Sequence, residues 1–451
     1  MEVFKVRGGN MLHGEINIEG AKNAALAIIP AAIFADGPCT IDNVPEISDV
    51  DIMLKVLKYM GAEIERPVKG TVKIDCRNVD PDKLVPACLS RRFRASYYLL
   101  GSLLGKYKRA NVAMPGGCRF GDRPIDLHIK GFEALGAIVT IEGYEFTCDA
   151  CGGDCSFTEY QAESAKCSDP LNSVVRVRAD ELNGNQIYMN VVSVGATINV
   201  MLASVMAKGL TVIENAAREP HVVDLANFLN SMGADIRGAG TDIIRIYGVG
   251  EMHGSDYSII PDQIEAGTYM VAVAAAGGDV VIKNVIPKHL ETITSLLKDG
   301  GVRVSATGDS VRVAADGSRV KAFRVKTRPH PGFPTDMQPQ FGALLSTCVG
   351  EGKVIESVWE TRFQYIDQLR KMGAQVKIDD DTATFTGVPY LTGTRVRADD
   401  LRAGAAMVIA GLMAKGETVI TNVNLIDRGY ANIVEKLTAV GADIKRVEIE
   451  E

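Results

Sequence analysis

Six times along the chain a helix-like run of residues ends at a glycine and gives way to alternating apolar and polar positions. The copies are LKYMGAEI (57–64), FEALGAIV (132–139), LNSMGADI (229–236), LLKDGGVRV (296–304), LRKMGAQV (369–376) and LTAVGADI (437–444). The period-two alternation after each glycine predicts a strand. The glycine is expected to close the preceding helix, because it reaches positive φ at little cost.

Upstream of each copy lies a second shared unit, a helix of small residues followed by a short strand and a loop. Examples are KNAALAIIPAAIFADGPCTIDNV (22–44), SVGATINVMLASVMAKGLTVIEN (193–215) and LRAGAAMVIAGLMAKGETVITNV (401–423). Their Ala and Gly content predicts buried, closely packed helices. The expected fold class is therefore α/β, built from six helix–strand repeats in two sets of three. Two similar domains are one arrangement of such repeats, and a single solenoid is the other. The interval from Gly136 to Gly233 is longer than its counterparts, which places an insertion in the third repeat.

Composition narrows the class. A chain of 451 residues exceeds one core and fits two domains of roughly 200 residues. A net charge of -7 excludes general nucleic-acid affinity, though not a local basic pocket for a small anion. The N-terminus MEVFKVRGGN lacks an apolar signal region, and no stretch has the length of a membrane helix, so a cytoplasmic protein without membrane insertion is expected. Nine cysteines, an odd number, do not form the framework of a secreted domain.

Those cysteines sort by context. The insertion, YEFTCDACGGDCSFTEYQAESAKCSDPL, carries Cys148, Cys151, Cys155 and Cys167. Four thiolates at these spacings suit a structural tetrahedral zinc; an oxidised or unpaired cysteine-rich hairpin is the alternative. Cys39, Cys76, Cys88 and Cys348 lie in apolar strands, helices or their edges and are expected to be buried packing residues. Cys118 differs from all of these. In MPGGCRFGDRPIDLH (114–128) it follows two glycines and precedes Arg119 and Arg123, so it belongs to a loop that presents a thiol among cations. Nearby positive charge favours thiolate, and such a thiol serves as nucleophile or general acid.

Other charges fall at equivalent points of the repeats. The starts of the buried helices carry Lys22 and Asn23, Arg94, Ser193 with Val194 and Gly195, Asp336, and Arg402. The loops after the short strands carry Arg123, Arg218, Lys288, Arg362 and Arg428. Cations beside free helix N–H groups make anion sites, which implies a small substrate bearing phosphate and carboxylate. For any single one of these residues a solvated surface charge is the competing reading. Asp336, in FPTDMQPQF (333–341), serves equally as a helix cap or as a base for a hydroxyl proton.

These stretches taken in order resemble the UDP-N-acetylglucosamine 1-carboxyvinyltransferase family of enolpyruvyl transferases. The resemblance runs through GAKNAAL (20–26), RASYYLLG (94–101), PGGCRFGDRPIDLH (115–128), SVGAT (193–197), ENAAREP (214–220) and PDQIEAGT (261–268). It continues through PHPGFPTDMQ (329–338), ETRF (360–363), DLRAGA (400–405) and IDRGY (426–430). It implies a two-domain inside-out α/β barrel, three repeats per domain, with one domain at 23–260 and the other formed by 1–22 and 261–451. The implied reaction moves an enolpyruvyl group from phosphoenolpyruvate to the 3-hydroxyl of UDP-N-acetylglucosamine, releasing phosphate without a cofactor, as the first committed step of peptidoglycan synthesis. By resemblance Cys118 is the general acid and the target of fosfomycin. Lys22, Asn23, Arg123, Arg402 and Arg428 bind phosphoenolpyruvate, Lys22 also sharing in catalysis, and Asp336 orients or deprotonates the sugar hydroxyl. Arg94, Arg123, Pro124, Ile125, Asp126, Leu127, Val191, Val192, Ser193, Val194, Asp336 and Val358 contact the UDP-sugar. Val191 departs from the family pattern, standing where some members have a lysine near the diphosphate. The cysteine-rich insertion is a second departure. Transfer to shikimate 3-phosphate and a silent UDP-sugar-binding paralogue are the other readings. The RPIDLH segment speaks against the first; Cys118, Lys22, Asp336 and Arg428 speak against the second.

Overall fold

The computed structural model describes residues 1–85, 87–114, 116, 125–143 and 173–449. The chain divides into two compact units, one of residues 22–260 and one of residues 1–21 with 261–451. Lys22 opens the first helix of the former.

Each unit repeats one topology three times. In the 22–260 unit, strand Gln186–Tyr188 runs parallel to Leu210–Glu214, which pairs antiparallel with Ile243–Tyr247 and, through it, with Asp235–Arg237. A second sheet has the order Asp256–Ser258, Cys39–Asp42, Val72–Asp75, Glu63–Glu65. A third joins Arg109–Ala113, Ser173–Arg178 and Ile138–Gly143, with a parallel bridge from Val85 to Val112. In the other unit, two of the three sheets recruit the N-terminal segment, with Glu2–Arg7 between Glu417–Thr421 and Asp443–Glu448, and Leu12–Asn17 parallel to Gly278–Lys283. The third is Arg324–Lys326, Glu351–Ile355, Thr382–Thr386 and Gln375–Asp379.

The helices of small residues lie inside these sheets. Every residue of Leu401–Leu412 in the helix Leu401–Met413 is buried. In Gln263–Ala276 the run Ile264–Ala274 is buried without interruption. A helix apolar all round has no solvent face to keep polar, and small side chains let it pack among others. The helices that end in the recurring glycine are amphipathic by contrast, as in Ser48–Met60 and Glu291–Asp299.

The glycine closures take positive φ in all six repeats, at Gly61, Gly136, Gly233, Gly301, Gly373 and Gly441. In the fourth, Gly300 stays in the right-handed region and the following Gly301 makes the turn. A second recurrent device escapes the sequence patterns above. Asn43, Asn215, Asn284 and Asn422 end the short strands at positive φ. Three of these amides donate to distant carbonyls, those of Ile259, Met189 and Ile18. Asparagine tolerates left-handed φ, so it serves where a strand must turn sharply, and here its amide also ties the turn to a distant segment.

The insertion is placed differently from the expectation. Ile138–Gly143 and Ser173–Arg178 are antiparallel partners in one sheet, so the insertion between them interrupts the hairpin of the second repeat rather than the third. Of the four cysteines expected to be buried, Cys39, Cys76 and Cys348 are. Cys88 is not: it is half-buried in the short helix Ala87–Ser90 and takes part in a disulfide.

Candidate active site

In the unit 22–260, Lys22 starts the helix Lys22–Ala31 and is only 6% exposed. Its Nζ lies 2.7 Å from Oδ2 of Asp49, which is itself buried in the first turn of Ser48–Met60. A buried ammonium at a helix N-terminus is opposed both by desolvation and by the helix dipole, and the carboxylate offsets both. Asn23 is half-buried beside it.

Arg94 opens the turn Arg94–Tyr97 with its guanidinium 5.2 Å from the centre of the Tyr97 ring. Burial works to lower its pKa. Tyr97 in turn packs on His128, ring centres 5.4 Å apart. His128 lies in the helix Asp126–Ala134, whose start carries buried Ile125, exposed Asp126 and half-buried Leu127. Burial, then the charge of Arg94, pushes the His128 pKa down to about 4, so the ring is neutral at physiological pH. Its Nδ1 is 2.8 Å from Nδ2 of Asn199, in the neighbouring helix Val194–Ser204. Ser193 caps that helix, its side chain accepting from the N–H of Ala196. Val192 is half-buried, and Val191 is 67% exposed.

In the other unit Asp336 forms the centre. It sits in the turn Thr335–Met337 ahead of the helix Gln338–Leu345, yet neither element receives a side-chain cap from it. The capping alternative is therefore set aside. Instead, Oδ1 accepts from Nη2 of Arg362 at 3.0 Å, and Oδ2 accepts from Nε and Nη2 of Arg402 at 3.3 and 3.1 Å. Both guanidinium groups are buried, whereas the Asp336 side chain is 29% exposed. The carboxylate thus faces outward from two fixed cations.

Arg402 is held from three directions. Asp400 caps its helix, accepting from the N–H of Arg402 at 2.7 Å. The Tyr430 ring lies 5.4 Å from the guanidinium carbon. The Tyr430 hydroxyl joins Thr268 Oγ1 at 3.0 Å and accepts from Gln340 Nε2 at 3.1 Å. Burial opposes the charge of Arg402, but Tyr430, Asp336 and Asp262 outweigh it and raise its pKa further. Arg428 is half-buried two residues before Tyr430. Glu356, buried, accepts from Thr327 and Thr335 and from the N–H groups of Val358 and Trp359, which fixes the loop carrying Val358.

Two sequence candidates do not join these groups. Arg218 is substantially exposed and pairs with Asp242, and Lys288 is exposed and pairs with Glu291. For both, the surface-charge reading holds. Cys118, Arg123 and Pro124 lie outside the described residues, as do Cys148, Cys151, Cys155 and Cys167. Among the described residues no group of three or more His, Cys, Asp or Glu side chains is placed to hold a metal ion. No helix among them is long and apolar enough to cross a membrane.

The site residues that the sequence motifs missed are Asp49, His128, Asn199, Thr268, Gln340, Glu356 and Tyr430. Five of them lie inside or at the edge of stretches already singled out: His128 in RPIDLH, Asn199 in SVGATINVMLASVMAKGLTVIEN, Thr268 in PDQIEAGT, Gln340 in FPTDMQPQF and Tyr430 in IDRGY. Their burial and partners carry no signal in a single sequence.

The profile of EPSP synthase (3-phosphoshikimate 1-carboxyvinyltransferase) matches residues 6–168 and 157–437. The crystal structure of the enolpyruvyl transferase NikO from Streptomyces tendae aligns with a TM-score of 0.83 at 26% identity, covering 99% of each chain. EPSP synthase from Acinetobacter baumannii aligns with a TM-score of 0.73 at 19% identity, over 99% of this chain and 100% of that one, a likeness of fold alone. Two units of three repeats, together with these matches, define the two-domain inside-out α/β barrel of the enolpyruvyl transferases. Within that class, the UDP-N-acetylglucosamine 1-carboxyvinyltransferase of Clostridium botulinum is 53% identical over 448 residues, 99% of this chain and 100% of its own. UDP-N-acetylglucosamine 1-carboxyvinyltransferase 3 of Caldanaerobacter subterraneus subsp. tengcongensis is 49% identical over 447 residues, with 99% and 100% covered. The chain belongs to the UDP-N-acetylglucosamine 1-carboxyvinyltransferase family.

Proposed function

We propose that this protein transfers the enolpyruvyl group of phosphoenolpyruvate to the 3-hydroxyl of UDP-N-acetylglucosamine and releases phosphate. The observation that carries the reading is the Asp336 carboxylate, partly exposed and braced by buried Arg362 and Arg402. It is supported by the name shared by relatives about half identical along their full length.

The chemistry is addition followed by elimination. The sugar oxygen bonds to C2 of phosphoenolpyruvate while a proton is added at C3, giving a tetrahedral adduct that carries both phosphate and carboxylate. Loss of a proton from C3 and of phosphate from C2 then restores the double bond. The steps balance without an oxidant, and no cofactor is invoked. Asp336 accepts a hydrogen bond from the 3-hydroxyl and orients it or takes its proton. Arg402, Arg428 and Lys22 bind the anionic groups, and fixed cations stabilise the adduct more than the separate reactants. Cys118 delivers the proton to C3. Arg402 has a partner in either state: Asp336 compensates it before substrate arrives, and the incoming anion shares it afterwards.

Phosphate release with phosphoenolpyruvate and UDP-N-acetylglucosamine tests the reading. Release that requires both substrates is expected, and no release with this pair overturns it.

A further inference from the structure

In the unit of residues 1–21 and 261–451, the strands Arg324–Lys326 and Glu351–Ile355 run parallel, and a carboxylate sits just past the end of the second. Glu356 is only 4% exposed. Burying such a charge is costly unless donors replace the lost water.

Those donors arrive from three segments. Oε1 accepts from Thr327 Oγ1 at 2.8 Å and from the N–H groups of Val358 and Trp359 at 2.8 and 3.1 Å. Oε2 accepts from Thr335 Oγ1 at 2.9 Å. Thr327 extends the arrangement. Its hydroxyl also accepts from the N–H of Ser357 at 2.9 Å, and its own N–H donates to the carbonyl of Ile355 at 3.0 Å. A carboxylate only accepts, and its two oxygens suit donors that converge from several directions.

The segments held in this way carry the charges of the site. Thr335 directly precedes Asp336 in the turn Thr335–Met337. Arg362 lies on the loop that Glu356 begins, and it donates to Oδ1 of Asp336 at 3.0 Å. The contact between Asp336 and Arg362 therefore closes a ring whose other side runs through Thr335 and Glu356. An ion pair between residues of two irregular segments keeps one geometry only if both segments are anchored.

We propose that Glu356 is a positioning residue for the reaction, holding the turn of Asp336 and the loop of Arg362 in one register so that the Asp336 carboxylate meets the sugar hydroxyl in one orientation. This rests on the function proposed above, within which no role falls to Glu356. It acts through Asp336, and a small misplacement of the reacting groups costs rate more than binding.

Thr335→Val cuts the link on the Asp336 side alone and leaves Glu356 its other donors. It is expected to lower kcat roughly 10-fold per folded molecule, while UDP-N-acetylglucosamine affinity by calorimetric titration stays within about twofold. Thr335→Ser restores the hydroxyl and is expected to restore most of kcat. Unchanged kcat in Thr335→Val, an equal loss in Thr335→Ser, or a loss of affinity that matches the loss of kcat overturns the proposal. Amide hydrogen exchange of the ligand-free protein provides a check that needs no turnover. In Thr335→Val, exchange across 356–362 is expected to quicken roughly threefold or more, although the change lies in another segment. Exchange there that matches the unaltered protein overturns the tie. If the unaltered protein releases no phosphate from phosphoenolpyruvate with UDP-N-acetylglucosamine, the proposed function fails, while the exchange result still decides whether Glu356 couples the two segments.

Discussion

The carboxylate of Asp336 accepts two hydrogen bonds from one edge of Arg402, at 3.3 and 3.1 Å, although the two residues open helices of different repeats. Arg362 binds the other oxygen. Asp336→Asn preserves the shape and removes the charge. Turnover is expected to fall roughly 100-fold or more, because the hydroxyl loses its charged acceptor. Stability should fall by about 3 kcal/mol, since Arg362 and Arg402 are buried and lose the charge of Asp336 that faces them. Steady-state kinetics and a denaturation curve check the two effects separately.

Lys22 and Asp49 form a nearly dry pair. Lys22→Met removes the buried ammonium that lies 2.7 Å from the buried Asp49 carboxylate and should cost about 3 kcal/mol, together with phosphoenolpyruvate affinity. The double change Lys22→Met with Asp49→Leu should regain most of the stability and none of the affinity. Denaturant titration and phosphoenolpyruvate binding, measured on both variants, separate the structural role of the pair from its role in binding.

His128 makes the fold acid-sensitive in a defined window. Its pKa drops from an ordinary 6.5 to about 4 on folding, owing first to burial and then to Arg94. The unfolded chain takes up the proton below pH 6.5 while the folded one refuses it, so stability is full above 6.5 and lost progressively down to about pH 4. Linkage puts the loss at about 3 kcal/mol. Glu265, raised to about 7 chiefly by burial, and Asp224, raised to about 6 for the same reason, act in the opposite sense. The comparison is therefore between the unaltered protein and His128→Gln. The gap in unfolding free energy should shift in favour of the variant as pH falls from 6.5 to 4.

Cys118 is expected to supply a proton rather than bulk. Cys118→Ser should lose turnover at neutral pH, because a hydroxyl is a far weaker acid, whereas Cys118→Asp should retain some. Intact mass after incubation with fosfomycin and UDP-N-acetylglucosamine should show one adduct on the unaltered chain and none on Cys118→Ser.

The repeat architecture is legible in the sequence because its markers are local. A glycine that must take positive φ and a helix made of small residues leave their trace in consecutive positions. Even the one displaced marker, Gly301 for Gly300, lies within the same motif. The site is only half legible. Lys22, Arg94, Asp336, Arg402 and Arg428 stand at repeat-equivalent points, and charge at a helix start is a readable signal. Their partners are not readable, because Asp49, Arg362 and Tyr430 meet them through contacts between distant segments. Of the two roles that fit Asp336 equally from sequence, the structure speaks only to the cap, because Arg362 and Arg402 occupy both oxygens instead. Arg218 and Lys288 share the same repeat positions and yet pair on the surface, so position alone overcounts. Glycine spacing cannot tell which hairpin the insertion lengthens, whereas the pairing of Ile138–Gly143 with Ser173–Arg178 can.

The most direct measurement is phosphate release by the purified protein from phosphoenolpyruvate, with UDP-N-acetylglucosamine, with shikimate 3-phosphate and with no acceptor. The account predicts release only with UDP-N-acetylglucosamine, matched mole for mole by a product that is heavier by one enolpyruvyl group. Release with shikimate 3-phosphate instead, or no release with any acceptor, would contradict it.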